Sequence, residues 1–355
     1  MFRDAYRNQN VLITGHTGFK GSWLSLWLSQ LGARVFGYAL PPSTTPNHFS
    51  LLNDCCYSTF GDICDPQGVD SAMENARPSI VFHLAAQSLV STSYQNAYET
   101  FEKNILGTAR VIEACRASPY VRAIVIVTSD KCYENDGRCG PYSEEDRLGG
   151  SDPYSASKGC AEIVTACYRR SIFQGKGDSA HVPLLASARA GNVIGGGDWS
   201  PTRIVPDVVR AVVGGVPLGL RNAGAVRPWQ HVLDCLGGYL LLGERLLSGD
   251  QAYARGWNFG PDWNDTVSVL QLVEGLVNAW GSSIEIQSSS STFPEAERLN
   301  LDCNAVRTIL KWKPLWTLDE SIKRTVEWYK SFYDNQKVIS IAQLNEYTRM
   351  LSESI

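Results

Sequence analysis

Residues 10–21 read NVLITGHTGFKG. A β-branched apolar run stops at Gly15. Gly18 and Gly21 follow at three-residue spacing, and the stretch GSWLSLWLSQLG then runs on to Gly32. The pattern predicts a buried strand, a glycine turn and an amphipathic helix. Each glycine has a physical task. Gly15 permits the tight turn, Gly18 lets backbone approach a pyrophosphate closely, and Gly21 allows close helix–strand packing. The helix opens with N–H groups that lack intrahelical partners and suit an anion. His16, inside the turn, is read as shaping it.

The same alternation continues outward. Short β-branched runs at 34–40, 57–65, 79–86, 122–129 and 184–195 are separated by helical patterns at 68–77, 96–118 and 153–172. Strands alternating with helices of ten or more residues imply right-handed crossovers and a doubly wound parallel sheet, an α/β fold. After about residue 195 the pattern loosens. The stretch GGGDWSPTRIVPD is loop, IVPDVVRAVVGG and WQHVLDCLGGYLLLGERLLS read as helices, and 283–312 mixes loop, strand and helix. The expected division is a dinucleotide-binding domain at 1–185 and a smaller interwoven α/β substrate-binding C-terminal domain at 186–355, some of whose segments return to the first. The serine run 288–291 reads as a surface loop.

Composition removes several functional classes. The 355 residues carry a net charge of −4 with no Lys/Arg-rich run, which argues against nucleic acid as a partner. The N-terminus lacks a signal-peptide pattern, and no stretch has the roughly 18 apolar residues a membrane span needs. A soluble cytoplasmic protein is expected. Ten cysteines include no Cys-x-x-Cys pair, and the five histidines complete no metal-ligand spacing. The cysteines are read as reduced, mostly buried small hydrophobes, and no metal is expected.

The spacing G-x-x-G-x-x-G, with HLAA at 83–86 and NILGT at 104–108, resembles the extended short-chain dehydrogenase/reductase superfamily. That resemblance implies a Rossmann sheet and a bound dinucleotide. It also implies cofactor contacts from Gly15, Thr17, Gly18, Phe19, Gly21, Asp62, Ile63, Leu84, Ala85, Ala86 and Asn104, with Tyr154 and Lys158. One departure stands out. The second strand ends GYALPPS, with no acid for the adenosine ribose and no arginine for a 2′-phosphate, so this position does not separate NAD from NADP.

In YSASK, Tyr154 and Lys158 lie four residues apart at the start of a helix, on one face. A phenol with a pKa near 10 is a poor base at neutral pH, and a nearby ammonium favours its phenolate. Tyr154 can then take a proton from an alcohol whose hydride leaves for a nicotinamide. Ser129, at the end of the fifth strand, completes the superfamily's Ser/Thr–Tyr–Lys set. Those three groups account for alcohol oxidation and nothing more.

Asp130 and Lys131 are surplus to oxidation. In the sugar-nucleotide 4,6-dehydratases, the two residues after the Ser/Thr carry out an elimination. The usual pair there is Asp-Glu; here it is Asp-Lys. With TSDKCYEN, ARAGNVIGGGDW, RIVPD and RPWQHVLD, the chain resembles the CDP-glucose 4,6-dehydratase subfamily from Thr14 to about Pro314. The resemblance implies a hydro-lyase of deoxysugar biosynthesis, of the kind that feeds O-antigen and lipopolysaccharide. It would oxidise C4 of CDP-D-glucose, eliminate water across C5 and C6, return hydride to C6, and hold NAD tightly through each cycle. Asp130 would protonate the departing C6 hydroxyl. Lys131 would act at C5, as base if its pKa falls or as a charge that steadies the enolate. Arg227 would face the substrate diphosphate, with Arg203 and Arg298 as further candidates. Asn192 would hold phosphate or sugar, and Asp198 and Trp199 would shape the nucleotide pocket. His231 and Asp234 are read as structural. A 4-epimerase on the same fold, or a non-catalytic dinucleotide-binding regulator, are the alternatives. A homodimer or homotetramer is expected through 96–118 and 153–172. Ile105, Val111, Ile112, Ile163 and Val164 would serve either that interface or the protein's own sheet.

Overall fold

A computed structural model describes residues 2–52, 54–173, 182–262, 265–289 and 298–353. Seven strands form one parallel sheet: β1 (Asn10–Thr14), β2 (Arg34–Ala39), β3 (Tyr57–Phe60), β4 (Ile80–His83), β5 (Ala123–Val127), β6 (Leu184–Ala190) and β7 (Gly256–Phe259). Their order is β3-β2-β1-β4-β5-β6-β7, with every pairing parallel. The chain therefore runs outward from β1 to β3, then crosses back to β4 on the other side of β1. That reversal opens a crevice at the carboxyl edge of the sheet, where ligands of such folds bind.

Both faces of the sheet are covered, which is why its central strands read as continuous apolar runs. Alternate residues serve opposite faces. Ile13, Phe82, Val125 and Ala186 pack on α1 (Phe19–Gln30) and other elements of one large core, while Leu12, Val81, Ile124 and Leu185 join a second core with α2 (Pro66–Ala76) and α3 (Gly107–Ala117). α1 is buried all round from Gly21 to Leu28, not on one stripe as an amphipathic helix would be. Two later helices continue the set, α4 (Pro153–Cys167) and α5 (Ile204–Gly214), followed by α6 (Val232–Leu247) against β5 and β6. Asp152 caps α4, its Oδ1 accepting from the Ser155 N–H at 2.9 Å, and Pro153 takes the first turn, where no N–H is needed.

Three differences from the sequence reading have physical causes. β7, the sequence GWNF, was not evident as a strand: it is four residues long, includes Gly and Asn, and is buried throughout, so it shows no alternation. The helical pattern at 96–118 is a helix at Ala97–Phe101, a π-helical turn at Glu102–Leu106, and then α3. Cys139 and Cys167 are exposed, and the described cysteines form no disulfide.

The serine run begins within a short strand, Ile286–Ser288, paired with Leu218–Leu220; Ser290 and Ser291 lie outside the described residues. Val111 and Ile112 are fully buried against the protein's own sheet, Ile105 and Val164 are half-buried, and Ile163 is 54% exposed.

Candidate active site

A cleft of about 610 Å³ runs along the carboxyl edge of the sheet. The glycine turn forms its floor. Gly15 has φ +80°, and a Cβ there would lie 2.6 Å from the Ala85 nitrogen, so the loops after β1 and β4 meet at this residue. A Cβ on Gly21 would lie 2.0 Å from the Gly15 carbonyl oxygen. Gly21 thus packs on the turn itself, where the sequence suggested packing on the strand. Gly18 differs from both: a Cβ would meet only the Gly15 oxygen, at an ordinary 3.5 Å. The protein alone does not require glycine there. Gly18 is also the N-cap of α1 and makes no side-chain cap. Uncapped N–H groups and room in front of them are what a phosphate group needs. Thr17 Oγ1 donates to the Leu40 carbonyl at 2.9 Å and ties the turn to the end of β2. His16 is buried, bonds Ser58 Oγ at 2.6 Å and stacks on Phe60; burial pulls its pKa down to about 4, so it stays neutral.

The reacting groups converge from two elements. Ser129 caps the turn Asp130–Cys132: its Oγ accepts from the Lys131 N–H at 3.2 Å and donates to Asp130 Oδ1 at 2.9 Å. Asp130 is 3% exposed, and its Oδ2 has no hydrogen-bond partner among the described residues. Burial raises its pKa, against the pull of Lys131, the Ser129 hydroxyl and Arg227. From α4, Tyr154 and Lys158 enter the cleft wall, both buried, with Lys158 Nζ 6.0 Å from the Tyr154 ring centre. Burial pushes the phenol up to about 12, moderated by the Ser129 hydroxyl and by Arg203. Burial, then the positive charge of Lys20, pulls Lys158 down to about 8. In the free protein, desolvation therefore outweighs the expected lowering of the phenol, and positive charge brought by a ligand would favour its ionisation.

Two arginines flank this centre. Arg227, buried, lies near Asp130 and donates to the Val226 carbonyl at 2.9 Å. Arg203 pairs with Asp198 at 2.9 Å and donates to Ser88 Oγ at 3.0 Å, within electrostatic reach of Tyr154.

Residues 12–325 match the profile of the family described as GDP-mannose 4,6 dehydratase. The chain belongs to this family. It is 41% identical over 350 residues to the CDP-glucose 4,6-dehydratase of Salmonella typhimurium, covering 97% of this chain and 98% of that one. It is 26% identical to the dTDP-glucose 4,6-dehydratase of Neisseria gonorrhoeae, over 90% of this chain and 95% of that one. Among solved structures, the dTDP-glucose 4,6-dehydratase of Bacillus anthracis in complex with NAD superposes with TM-score 0.77 at 22% identity, covering 92% of this chain and 98% of that one. The UDP-glucose 4-epimerase of Thermotoga maritima superposes with TM-score 0.78 at 22% identity, covering 91% and 99%. These last two share the fold.

In this family member, Gly15, Thr17, Gly18, Phe19, Gly21, Asp62, Ile63, Leu84, Ala85, Ala86, Ser129, Asp130, Lys131, Tyr154, Lys158, Asn192, Asp198, Arg203 and Arg227 all line the cleft. Three predicted residues do not. Asn104, 1% exposed, sits in the π-helical turn under the cleft wall and bonds the Gln87 backbone and Ser157 Oγ, so it shapes the loop beyond Ala86. Trp199 turns away into an aromatic cluster with Trp328, Tyr329 and Phe332, its indole N–H donating to Tyr333 Oη at 3.1 Å. Arg298 is exposed outside the cleft, its backbone bridging Val226. His231 and Asp234 are structural: His231 Nδ1 accepts from the Leu233 N–H, and Asp234 Oδ1 accepts from the Leu315 N–H and Tyr347 Oη. Lys20 was missed, although a lysine inside a glycine turn is itself a signal. It lines the cleft and donates to Tyr239 Oη at 3.4 Å.

Three outcomes are expected from this geometry. Gly18→Ala should melt within about 1 °C of wild type yet lose at least ~10-fold in dinucleotide affinity by titration calorimetry, since about 1.4 kcal/mol corresponds to tenfold. Gly21→Ala should fail to fold stably. For Lys158, the titratable neighbours are Tyr154, Glu162, Lys20, Cys132 and neutral His83. Its ammonium is the form that supports a phenolate, and it is lost as pH rises through about 8. The rate of alcohol oxidation should therefore fall on the alkaline side with a midpoint near that value, measured as a pH–rate profile.

Proposed function

We propose that the protein dehydrates CDP-D-glucose to CDP-4-dehydro-6-deoxy-D-glucose, with NAD as its bound cofactor. The observation that carries the reading is the single turn that joins Ser129 to Asp130 and Lys131 in front of Tyr154. The uncapped start of α1 and the open space at Gly18 fit the dinucleotide's pyrophosphate, with Asp62, Ile63 and Leu84–Ala86 lining the way to the reacting end. When bound, NAD supplies the acceptor for the C4 hydride and the donor that returns it to C6. The NAD complex of the Bacillus anthracis relative supports that assignment. The 41% identity to the Salmonella enzyme supports CDP-glucose over other nucleotide sugars.

The chain's own groups then handle protons and charge. Tyr154 takes the C4 hydroxyl proton, steadied by Lys158, while Ser129 orients that hydroxyl. A C4 ketone makes the C5 proton acidic. Lys131 removes it, and Asp130, which burial biases toward the protonated form, gives a proton to the leaving C6 hydroxyl. Lys131, whose proton can exchange with solvent, later returns one proton to C5. Over one cycle the phenol thus gains a proton and the carboxyl loses one. Ser129, which donates to Asp130 Oδ1 and touches the Tyr154 phenol, lies between them and can carry that proton back. Arg227 and Arg203 offer guanidinium groups to the diphosphate, although the proximity of Arg203 to Tyr154 also suits the sugar end. A 4-epimerase would have no use for Asp130 and Lys131. The proposed assembly is a homodimer through Ala97–Ala117 and Pro153–Ile172, where Tyr98, Leu106, Ile163 and Ile172 are exposed. No described helix is long and apolar enough to cross a membrane, and the proposed location is the cytoplasm.

The test is incubation with CDP-, dTDP-, UDP- and GDP-glucose without added NAD, scored for the 4-keto-6-deoxy sugar by mass loss of one water. Turnover of the CDP sugar in clear preference is expected; turnover of another nucleotide sugar instead would overturn the substrate assignment. Lys131→Met should abolish solvent deuterium uptake at C5 while leaving C4 oxidation measurable. Uptake near the wild-type rate would remove Lys131 as the base.

A further inference from the structure

We infer that the buried ion pair between Glu162 and Arg189 is the positioning device that holds the elimination residues Asp130 and Lys131 in register with the oxidation residues Tyr154 and Lys158. The inference rests on the dehydratase reading above and concerns two residues that touch no reacting atom.

Glu162 lies on α4 one turn beyond Lys158, and its side chain is 1% exposed; Arg189 lies on β6 and is 5% exposed. Their charges meet at 2.7 Å. Two further bonds of the pair go to the two ends of one short segment, and Arg189 Nη1 also donates to the Glu144 carbonyl at 3.3 Å. Glu162 Oε1 accepts from Thr128 Oγ1 at 2.5 Å, the residue immediately before Ser129. Arg189 Nη1 donates to Tyr133 Oη at 2.8 Å, the residue immediately after the Asp130–Cys132 turn. Ser187 Oγ donates to Glu162 Oε2 at 2.8 Å and anchors the carboxylate to β6, while Tyr133 Oη donates to Asn258 Oδ1 at 2.6 Å and ties the far end to β7. The catalytic turn is thus gripped at both ends by one ion pair that spans the helix bearing Tyr154 and the sheet.

This arrangement answers a physical puzzle. Burying two charges is expensive, and a well-packed apolar pair is often as stable or more so. Fold stability alone gives little reason for an acid in the apolar helix face KGCAEIV and a base in the strand LLASARA. Direction gives a reason. An apolar pair would hold the elements together but would fix no angle, whereas each bond here fixes a donor and an acceptor. Elimination depends on that precision more than oxidation does. Of the oxidation groups only Ser129, which orients the hydroxyl, shares the gripped segment, and Tyr154 and Lys158 are fixed by α4 itself; both elimination residues sit on the three-residue turn, and a small displacement of reacting groups costs large factors in rate.

The test loosens either end without removing a charge. Thr128→Val and Tyr133→Phe, singly and together, are mixed with CDP-glucose and quenched on the millisecond-to-second scale. Mass spectrometry then separates the 4-keto hexose, two mass units below substrate, from the 4-keto-6-deoxy sugar, which has lost water. The double variant is expected to slow dehydration at least ~10-fold while slowing oxidation less than ~3-fold, so the undehydrated keto sugar accumulates. Thr128→Ser, which keeps the hydroxyl, should restore the wild-type ratio. Tyr133→Phe alone keeps the test decisive if the double variant does not fold. Equal slowing of both steps, or an unchanged ratio in variants that melt normally, would overturn the inference. Wild-type protein that forms no keto sugar would instead overturn the dehydratase reading, and this assignment with it.

Discussion

Strands β1 and β4 lie side by side although β2 and β3 come between them in the chain, and the cleft exists because of that contact. The two strand ends turn away from each other at a distance that leaves no space for a side chain: Gly15 sits against the Ala85 backbone. With that approach fixed, α1 starts where its free N–H groups face the crevice, and Leu84–Ala86 follow the opposite lip. β5 and β6 extend the edge on the same side and bring Ser129 and Asn192 to it. One steric constraint at a single glycine therefore aligns the cofactor side and the reacting side of the site.

Burial acts on the reacting groups in one direction. It raises Asp130 and Tyr154, and it lowers Lys158, so each is driven toward its neutral form. Charge that arrives with ligands acts directly on groups so balanced. The exception is the Glu162–Arg189 pair just behind it, which stays ionised because each partner supplies what the other loses on leaving water: Arg189, with Thr128 and Ser187, brings Glu162 below its usual value despite burial. The structure thus separates an ion pair that positions from reacting groups, Asp130, Tyr154 and Lys158, that burial pushes toward their neutral forms.

The first six strands, the glycine turn and the placing of Tyr154 and Lys158 on one helix were legible in the sequence because each depends on local spacing. What was illegible depends on partners far along the chain. Trp199 reads as a platform for a base until Trp328 to Tyr333 are folded against it. Asn104 reads as a cofactor contact until a π-helical turn aims it at Gln87. β7 is too short and too thoroughly buried to show a period. Glu162 and Arg189 did leave a trace, as lone opposite charges inside two apolar elements, but spacing within either element could not show that they meet.

The loop that carries Asp198 is braced from behind by the last part of the chain. Gly196 lies against the Trp328 ring and Gly197 against His48, and His48 and Trp328 both bond Ser340 Oγ at 2.8 Å. Yet no described residue lining the cleft comes from beyond Val269. The same segment packs on α1, where Tyr347 meets Trp27. Both lips of the cleft therefore lean on side chains that never face it. A change at Ser340 would reach the site through its backing, leaving every lining residue chemically intact.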